Sequence, residues 1–416
     1  MHIYFSGIGG VGLGPLAEIA LDADYTVSGS DQQTSLMADE LNKRANIHIG
    51  QEKEKIKAIH QKTPIDWFVY SSALAEDHPE LLFAKENNIK ISKRYELLAH
   101  IIKEKNLKLI AVAGTHGKTT TTAMIVWLFK QLNIPISYSI GSTISFGPSG
   151  LFDEKSDYFI YECDEYDRNF LHFHPAISLI TSVDYDHPDT YPTIESYKAA
   201  FTQFINQSEQ TVCWQNDKEY LDIDDNQAIS CPNVSLETTV TLPGKHNRMN
   251  GVLAIEAVQK VTNESFEKIA SHLSSFPGTS RRFEKLAGNL YSDYGHHPIE
   301  IAATLQMARE ISDHVALVYQ PHQNIRQHEV KDQYTDCMKD AEMIYWLPTY
   351  LSREDPNLEI LTAQDLAKNL SNYESVSFKK LDDDLWQHIQ SERKAGTLVL
   401  CMGAGTIDSW VREQLA

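Results

Sequence analysis

The segment LIAVAGTHGKTTTTAMI, at residues 109–125, decides the fold class of this chain. An apolar run typical of a buried strand leads into a turn with two glycines, and a helix-like run follows. Glycines let backbone N–H groups approach an anion, and the start of a helix adds partial positive charge. Lys118 is placed to reach the β- and γ-phosphates of a nucleotide, and the Thr119 hydroxyl is placed to ligate Mg²⁺.

This turn is a shortened form of the phosphate-loop pattern G-x-x-x-x-G-K-[ST]. Val112 stands where the first glycine of the pattern would fall, and Gly114 takes its place two residues later. The predicted ATP-binding residues of the turn are Gly114, Thr115, His116, Gly117, Lys118, Thr119 and Thr120.

Strand-like runs alternate with helix-like runs on both sides of this segment, which is the rhythm of an open, largely parallel α/β sheet. The runs are HIYFSGIGG, TVSGSD and DWFVYSSA before the segment, and LYSDYG, HVALVYQP, MIYWLP and TLVLCMGAG after it. The Pro-Gly segment FPGTSRRF is a predicted linker. We therefore predict three α/β domains: 1–106, Rossmann-like; 107–279, with the phosphate loop and a parallel-rich sheet; and 280–416, Rossmann-like again.

Composition excludes several classes of protein. The chain has 37 basic and 57 acidic side chains, and a net charge of −20 disfavours nucleic acid and anionic membrane surfaces as partners. No run of 18 apolar residues and no basic–apolar leader is present, so neither a membrane span nor a secretory signal is expected. The five cysteines are scattered without a C-x-x-C pair, which favours reduced thiols in a cytoplasmic protein.

Acidic and histidine side chains follow two further predicted strands. YFIYECDEYDRNF, at 158–170, carries Glu162, Asp164, Glu165 and Asp167, and ISLITSVDYDHPDTY, at 177–191, leads to His187. Carboxylates at a strand end beside a phosphate loop suit Mg²⁺, although a solvated acidic loop is the alternative. Glu162, nearest its strand, is the best metal candidate, and His187 is either structural or functional.

Polar side chains in the last 170 residues are also candidates. His246, Asn247 and Asn250 begin an apolar-periodic helix, where they could bind a base edge or cap the helix. Arg281, Arg282, Asp293, Tyr294, His296, His297 and Arg326 lie near predicted strands of the third domain. This second set is compatible with a substrate site or with a metal.

The opening GIGGVGLG, at 7–14, contains the pattern G-x-G-x-x-G at Gly7, Gly9 and Gly12, with Asp31 about 20 residues on. Taken alone, this pattern favours a nicotinamide dinucleotide site. A dehydrogenase would leave the phosphate loop at 114–120 unexplained, so we reject that interpretation.

Together these segments resemble the Mur ligase family, the ATP-dependent amide-forming ligases of peptidoglycan synthesis, and above all its alanine-adding members. The resemblance covers essentially the whole chain. It rests on ordered motifs at Gly7–Gly12, Ser28–Asp31, Ser71–Ala73, Gly114–Thr122, Asp167–Leu171, Asp186–Tyr191, Pro243–Asn247 and Asp293–Pro298.

The resemblance implies a reaction in which ATP activates the lactyl carboxylate of UDP-N-acetylmuramate as an acyl phosphate, which the amine of L-alanine then attacks. It implies a UDP-sugar site at Gly9, Gly10, Val11, Gly12, Asp31, Ser71 and Ser72. It assigns His246, Asn247, Asn250 and Arg282 to ATP, and Tyr294, His296 and Arg326 to the amino acid. It makes Lys118, Glu162, His187 and His296 catalytic, with Thr119, Glu162 and His187 holding two Mg²⁺ ions. A cytoplasmic monomer or homodimer is expected.

Departures from the family pattern define the alternatives. Gln323 replaces one of two expected arginines, which predicts weaker binding of the amino-acid carboxylate. Phe201 stands where sister ligases carry a carbamylated lysine, as the alanine-adding class implies. The D-E-Y-D stretch at 164–167 is shared with murein tripeptide-recycling ligases, so ligation of a peptide is the alternative function. A catalytically silent nucleotide-binding protein is a further alternative, and the intact Lys118 argues against it.

Overall fold

A computed structural model describes residues 1–71, 74–187, 189–224, 228–352 and 354–416. Its contacts divide the chain into two compact units. The first unit comprises 1–239 and 250–276, and the second comprises 240–249 and 277–416. The first unit holds two sheets and the second unit holds one. The α/β fold class is confirmed, whereas the predicted domain boundaries at 106 and 279 stay predictions.

The first sheet is parallel and has the order β3-β2-β1-β4-β5. Its strands are β1 (His2–Ser6), β2 (Thr26–Asp31), β3 (Asn46–Ile49), β4 (Trp67–Tyr70) and β5 (Lys90–Lys93). Its helices are α1 (Gly14–Asp22), α2 (Leu36–Leu41), α3 (Lys53–Lys62), α4 (Pro79–Glu86) and α5 (Arg94–Glu104). The chain runs from β1 through β2 to β3 on one side and then crosses over to β4 and β5 on the other, so the strand order reverses between β1 and β4. Ligands of open α/β sheets bind at the carboxyl ends of the strands at such a point.

The second sheet has the order β12-β11-β10-β6-β9-β7-β8, with β8 antiparallel to β7. Its strands are β6 (Lys108–Ala113), β7 (Ser137–Ser139), β8 (Gly150–Leu151), β9 (Tyr158–Glu162), β10 (Ile177–Ile180), β11 (Gln210–Cys213) and β12 (Ile229–Ser230). Its helices are α6 (Lys118–Gln131), α7 (Ile194–Asn206), α8 (Gln215–Tyr220), α9 (Lys245–Gln259) and α10 (Phe266–Leu273). The first turns of α9 belong to the second unit and the remainder belongs to the first.

One apolar core spans the first two sheets. It joins Phe5 and Leu97 of the first sheet's layers to Phe159 and Phe201 of the second, and all four are fully buried. Gly150 in β8 lies directly against α1, because an ideal Cβ at Gly150 would stand 2.7 Å from the carbonyl carbon of Pro15. The two sheets therefore pack as one body, and their carboxyl-end turns belong to one unit.

The third sheet has the order β13-β14-β18-β15-β16-β17, parallel except for β13 against β14. Its strands are β13 (Glu284–Ala287), β14 (Leu290–Asp293), β15 (Val315–Tyr319), β16 (Met343–Trp346), β17 (Val376–Phe378) and β18 (Leu398–Met402). Its helices are α11 (Pro298–Ile311), α12 (Asn324–Val330), α13 (Ala363–Ala367), α14 (Asp383–Lys394) and α15 (Ile407–Leu415). Apolar clusters cover both faces, as a mostly parallel sheet requires.

Within the described ranges, no helix has the length and apolar character needed to cross a bilayer.

Candidate active site

The phosphate loop follows β6 at the centre of the second sheet, between β10 and β9. Gly114 has φ 131° and Gly117 has φ 84°, conformations that favour glycine over any residue with a Cβ. The Thr115 hydroxyl donates to the Asp184 carbonyl at 2.8 Å and accepts from the Asp184 N–H at 2.9 Å. The loop is thus fastened to the segment after β10. The N–H groups in the first turn of α6, including those of Lys118 and Thr119, have no acceptor within the helix and suit an anion.

Lys118 is buried in an ion pair. Its Nζ donates to both carboxylate oxygens of Glu165, at 2.8 and 3.0 Å, and to the Gly114 carbonyl at 2.6 Å. Burial alone would lower the pKa of Lys118, but Glu165 and Asp164 outweigh it and raise that pKa. Burial likewise opposes ionisation of Glu165, yet Lys118 and His187 hold the pKa of its carboxyl below the ordinary value. Both groups are therefore charged at neutral pH.

Two clusters of possible metal ligands flank Lys118. In the first, the Thr119 hydroxyl donates to Glu162 Oε1 at 2.8 Å, and the Gly141 N–H donates to Glu162 Oε2 at 3.0 Å. In the second, one donor atom each from Asp164, Glu165 and His187 lies within 4.8 Å of the others. These hard oxygen donors, with one imidazole, fit Mg²⁺.

The structure therefore separates the three predicted metal ligands, because Thr119 and Glu162 form one pair and His187 belongs to the other cluster. His187 Nε2 lies 3.6 Å from Glu165 Oε1 and 3.7 Å from Asp186 Oδ2. Burial lowers the pKa of His187, but Glu165 and Asp186 more than offset this and raise it. Sequence reasoning placed Glu165 in the acidic stretch without identifying it as the partner of Lys118.

The first glycine turn lies at the carboxyl end of β1. The N–H groups of Gly7 and Ile8 donate to the Ser30 carbonyl at 2.8 and 3.0 Å. The Gly9 N–H donates to Asp31 Oδ2 at 2.8 Å, so the carboxylate of Asp31 holds the turn. Val11 is 84% exposed at the tip of the turn.

The other predicted UDP-sugar residues lie at or beside this turn. Gly10 and Gly12 belong to the turn itself, and the Ser71 N–H donates to the Ser6 carbonyl at 3.4 Å beside it. Ser72 lies outside the described residues.

The predicted ATP-binding residues of α9 and beyond divide between the two units. Asn250 belongs to the first unit and packs on the phosphate loop, because an ideal Cβ at Gly117 would lie 2.8 Å from its Oδ1. His246 and Asn247 belong to the second unit, where burial lowers the pKa of His246 to about 4. Arg282, also in the second unit, lies 5.2 Å from the centre of the Tyr294 ring.

The three predicted amino-acid-binding residues come together in the second unit. His296 Nε2 contacts Arg326 Nη1, and the His296 and Tyr294 rings meet edge to face at 5.7 Å. Burial, helped by the charge of Arg326, lowers the pKa of His296 to about 4, so the imidazole is neutral at pH 7. Gln323, at φ 60°, directly precedes α12, the helix that carries Arg326.

The sequence matches three family models. They are "Mur ligase family, catalytic domain" at residues 2–106, "Mur ligase middle domain" at 112–229, and "Mur ligase, glutamate ligase domain" at 281–405.

Two relatives are similar over nearly their whole length. A UDP-N-acetylmuramate–L-alanine ligase of Clostridium botulinum (strain Langeland) is 33% identical, over 98% of this chain and 95% of that protein. The protein of the same name from Clostridium beijerinckii is 32% identical, over 97% of this chain and 95% of that protein.

Solved structures share the fold. UDP-N-acetylmuramate-alanine ligase MurC from Thermotoga maritima superposes with a TM-score of 0.76 at 22% identity, over 100% of this chain and 98% of that one. A murein peptide ligase from Psychrobacter arcticus gives a TM-score of 0.67 at 22% identity, over 100% and 98%.

Proposed function

The chain belongs to the Mur ligase family, and from this premise we propose that it joins L-alanine to the lactyl carboxylate of UDP-N-acetylmuramate at the expense of ATP. The observation that carries the proposal is the 33% identity, over 98% of the chain, to a UDP-N-acetylmuramate–L-alanine ligase. The charged phosphate loop and the His296 cluster support it. In this role the protein works in the cytoplasm, as a monomer or homodimer.

In the first half-reaction the lactyl carboxylate attacks the γ-phosphorus of ATP, giving an acyl phosphate and ADP. Lys118 and the N–H groups of the first turn of α6 bind the phosphate oxygens and stabilise the charge that develops there. Glu165 holds the Lys118 ammonium at the end of the loop. Asn250, packed against the same loop, serves the nucleotide side of the site.

Mg²⁺ fits the donors of this unit. The Thr119–Glu162 pair and the Asp164–Glu165–His187 cluster would each hold one ion, and bound Mg²⁺ would neutralise phosphate charge during the transfer.

In the second half-reaction the amine of L-alanine attacks the acyl carbon, and phosphate leaves from the tetrahedral intermediate. The second unit supplies Arg326, which pairs with the amino-acid carboxylate. Neutral His296 contacts Arg326 and fixes the direction of its guanidinium. Both ring nitrogens of His296 have partners, Nε2 at Arg326 and Nδ1 at the Tyr294 carbonyl, so the imidazole positions the guanidinium, and the proton that the amine loses passes to solvent.

The test is phosphate release with ATP, Mg²⁺ and UDP-N-acetylmuramate, measured with L-alanine, a panel of other amino acids, and the tripeptide L-Ala-γ-D-Glu-meso-diaminopimelate. We expect turnover with L-alanine to exceed turnover with every other amino acid and with the tripeptide. A preference for the tripeptide would assign the chain to peptide recycling instead.

A further inference from the structure

A cavity of about 200 Å³ lies within the first unit, between the first glycine turn and the Glu162 carboxylate. Gly12 lines one side of it, Glu162 and Asp164 line the other, and Arg94 also faces it. The cavity therefore connects the predicted UDP-sugar turn with one carboxylate from each candidate metal cluster.

Arg94 is the first residue of α5 and is half-buried. Its guanidinium makes no hydrogen bond and no ion pair with any residue that the structure describes, although it shares the cavity with two carboxylates. A half-buried guanidinium with five N–H donors and no acceptor is suited to an anionic ligand.

Gly12 makes this position of Arg94 possible. An ideal Cβ at residue 12 would lie 2.8 Å from Arg94 Nη1, so a side chain there would displace the guanidinium. The third glycine of the G-x-G-x-x-G pattern thus makes room for an arginine in addition to shaping the turn.

We infer that Arg94 binds the lactyl carboxylate of the sugar nucleotide and holds it for attack on ATP. The inference rests on the proposed function. A carboxylate entering this cavity meets Glu162 and Asp164, both of which repel it. The guanidinium offsets that repulsion, and its forked donors match the two oxygens of a carboxylate. No motif in the sequence singles out Arg94, because it opens an ordinary amphipathic helix.

The test is calorimetry on the full chain with three probes: UDP-N-acetylmuramate, UDP-N-acetylglucosamine, which lacks the lactyl group, and UDP. We expect Arg94→Met to weaken UDP-N-acetylmuramate binding by about 10- to 100-fold and to leave the other two affinities within about twofold. Arg94→Lys should restore part of the loss. Arg44→Met is the matched control, because Arg44 is 49% exposed and pairs with Asp22 on the surface of the same unit.

A second variant moves the Arg94 guanidinium without changing residue 94 itself. Gly12→Ala should displace the guanidinium and lower the affinity for UDP-N-acetylmuramate more than the affinity for UDP. Because Gly12 also belongs to the turn predicted to bind the UDP sugar, the change in UDP affinity and the thermal unfolding midpoint report what the turn itself loses.

Each remaining outcome is decisive. If Arg94→Met weakens binding of all three nucleotides equally, Arg94 binds the diphosphate, and the carboxylate assignment is overturned. Unchanged affinities in both variants would overturn any role for Arg94 in binding. A wild-type chain that binds none of the three uridine nucleotides would instead refute the proposed function.

Discussion

The phosphate loop of the first unit and the His296 cluster of the second unit both bury ionisable side chains, but burial has opposite results. Lys118 and Glu165 are charged, because each buries its charge against the other at 2.8 Å. His296 lies beside a cation, Arg326, and its pKa falls to about 4. Burial opposes the charged form in both sites, and only in the first site is it outweighed by an opposite charge in direct contact; at His296 burial prevails over Glu300, with help from Arg326. One site keeps a buried cation and a buried carboxylate ionised, and the other keeps an imidazole unprotonated.

The largest effect is expected from removing the cation of the first site. Lys118→Ala should lower the rate of ligation by about 100-fold or more, because a group that stabilises a transferring phosphoryl is lost. Binding of UDP-N-acetylmuramate, measured by calorimetry, should change little. Lys130→Ala, at the opposite end of the same helix, is the control. Wild-type turnover in Lys118→Ala would remove the phosphate loop from the mechanism.

The neutral histidine of the second site should make stability depend on pH. The folded-state pKa of His296 is about 4, below the ordinary 6.5, so the unfolded chain takes up a proton first as the pH falls. The contribution of His296 to stability should be fully present above pH 6.5 and should be lost between there and pH 4, by roughly 3 kcal/mol.

Urea unfolding at pH 7 and at pH 4.5 measures this decline. His296→Gln should reduce the decline but not abolish it, because buried His246 has the same lowered pKa, whereas His314→Gln, at a side chain that is 69% exposed, should leave it unchanged. If the free energy of unfolding falls by the same amount between pH 7 and pH 4.5 in the wild type and in His296→Gln, this imidazole is solvated.

The third prediction concerns the backbone of the phosphate loop at Gly114. Gly114 has φ 131°, and an ideal Cβ there would meet Thr181 Oγ1 and would stand 2.8 Å from the Ser182 carbonyl oxygen. Gly114→Ala should lower the free energy of unfolding by about 1–3 kcal/mol from backbone strain, with crowding added. Gly396→Ala, at φ 90° with nothing within 4 Å of its Cβ, isolates the strain. Equal losses in the two variants would show that crowding contributes nothing at Gly114.

The smallest effect concerns the charge of the second site. Gln323→Arg should lower the Michaelis constant for L-alanine by about tenfold, the worth of one charge-assisted hydrogen bond, and leave ATP affinity unchanged. Steady-state kinetics with L-alanine varied at saturating ATP measures this. Loss of activity, or a wild type that already binds alanine tightly, would mean that another cation takes this role. Arg353 is one candidate for it, and it lies outside the described residues.

Sequence pattern predicted the strands that carry the site. Buried runs such as β6, β9, β10 and β18 lie where their apolar stretches indicate, because strands covered on both faces read as continuous apolar segments. Periodicity cannot show which carboxylate faces which cation. Glu162 and Glu165 are three residues apart, and only the turn after β9 directs one to Thr119 and the other to Lys118.

Arg94 is a second residue whose contacts the sequence pattern does not predict. Its neighbours in sequence form an amphipathic helix, and its meeting with Gly12 depends on packing between elements about 80 residues apart. The assignment of binding roles to single residues stays a prediction for the same reason, since it depends on a ligand's position.

The close packing of Gly150 against Pro15 has a consequence for the design of inhibitors. The first two sheets share one core, so the turn at Gly9–Gly12 and the loop at Gly114–Thr120 belong to one unit. The 200 Å³ cavity extends from the turn to Glu162, which accepts a hydrogen bond from Thr119 of the loop. A single rigid compound that carries a uridine diphosphate mimic at one end and a phosphate mimic at the other could therefore occupy both subsites at once. Its tether need only be as long as the cavity, and its affinity would draw on both ends without the cost of ordering a flexible linker.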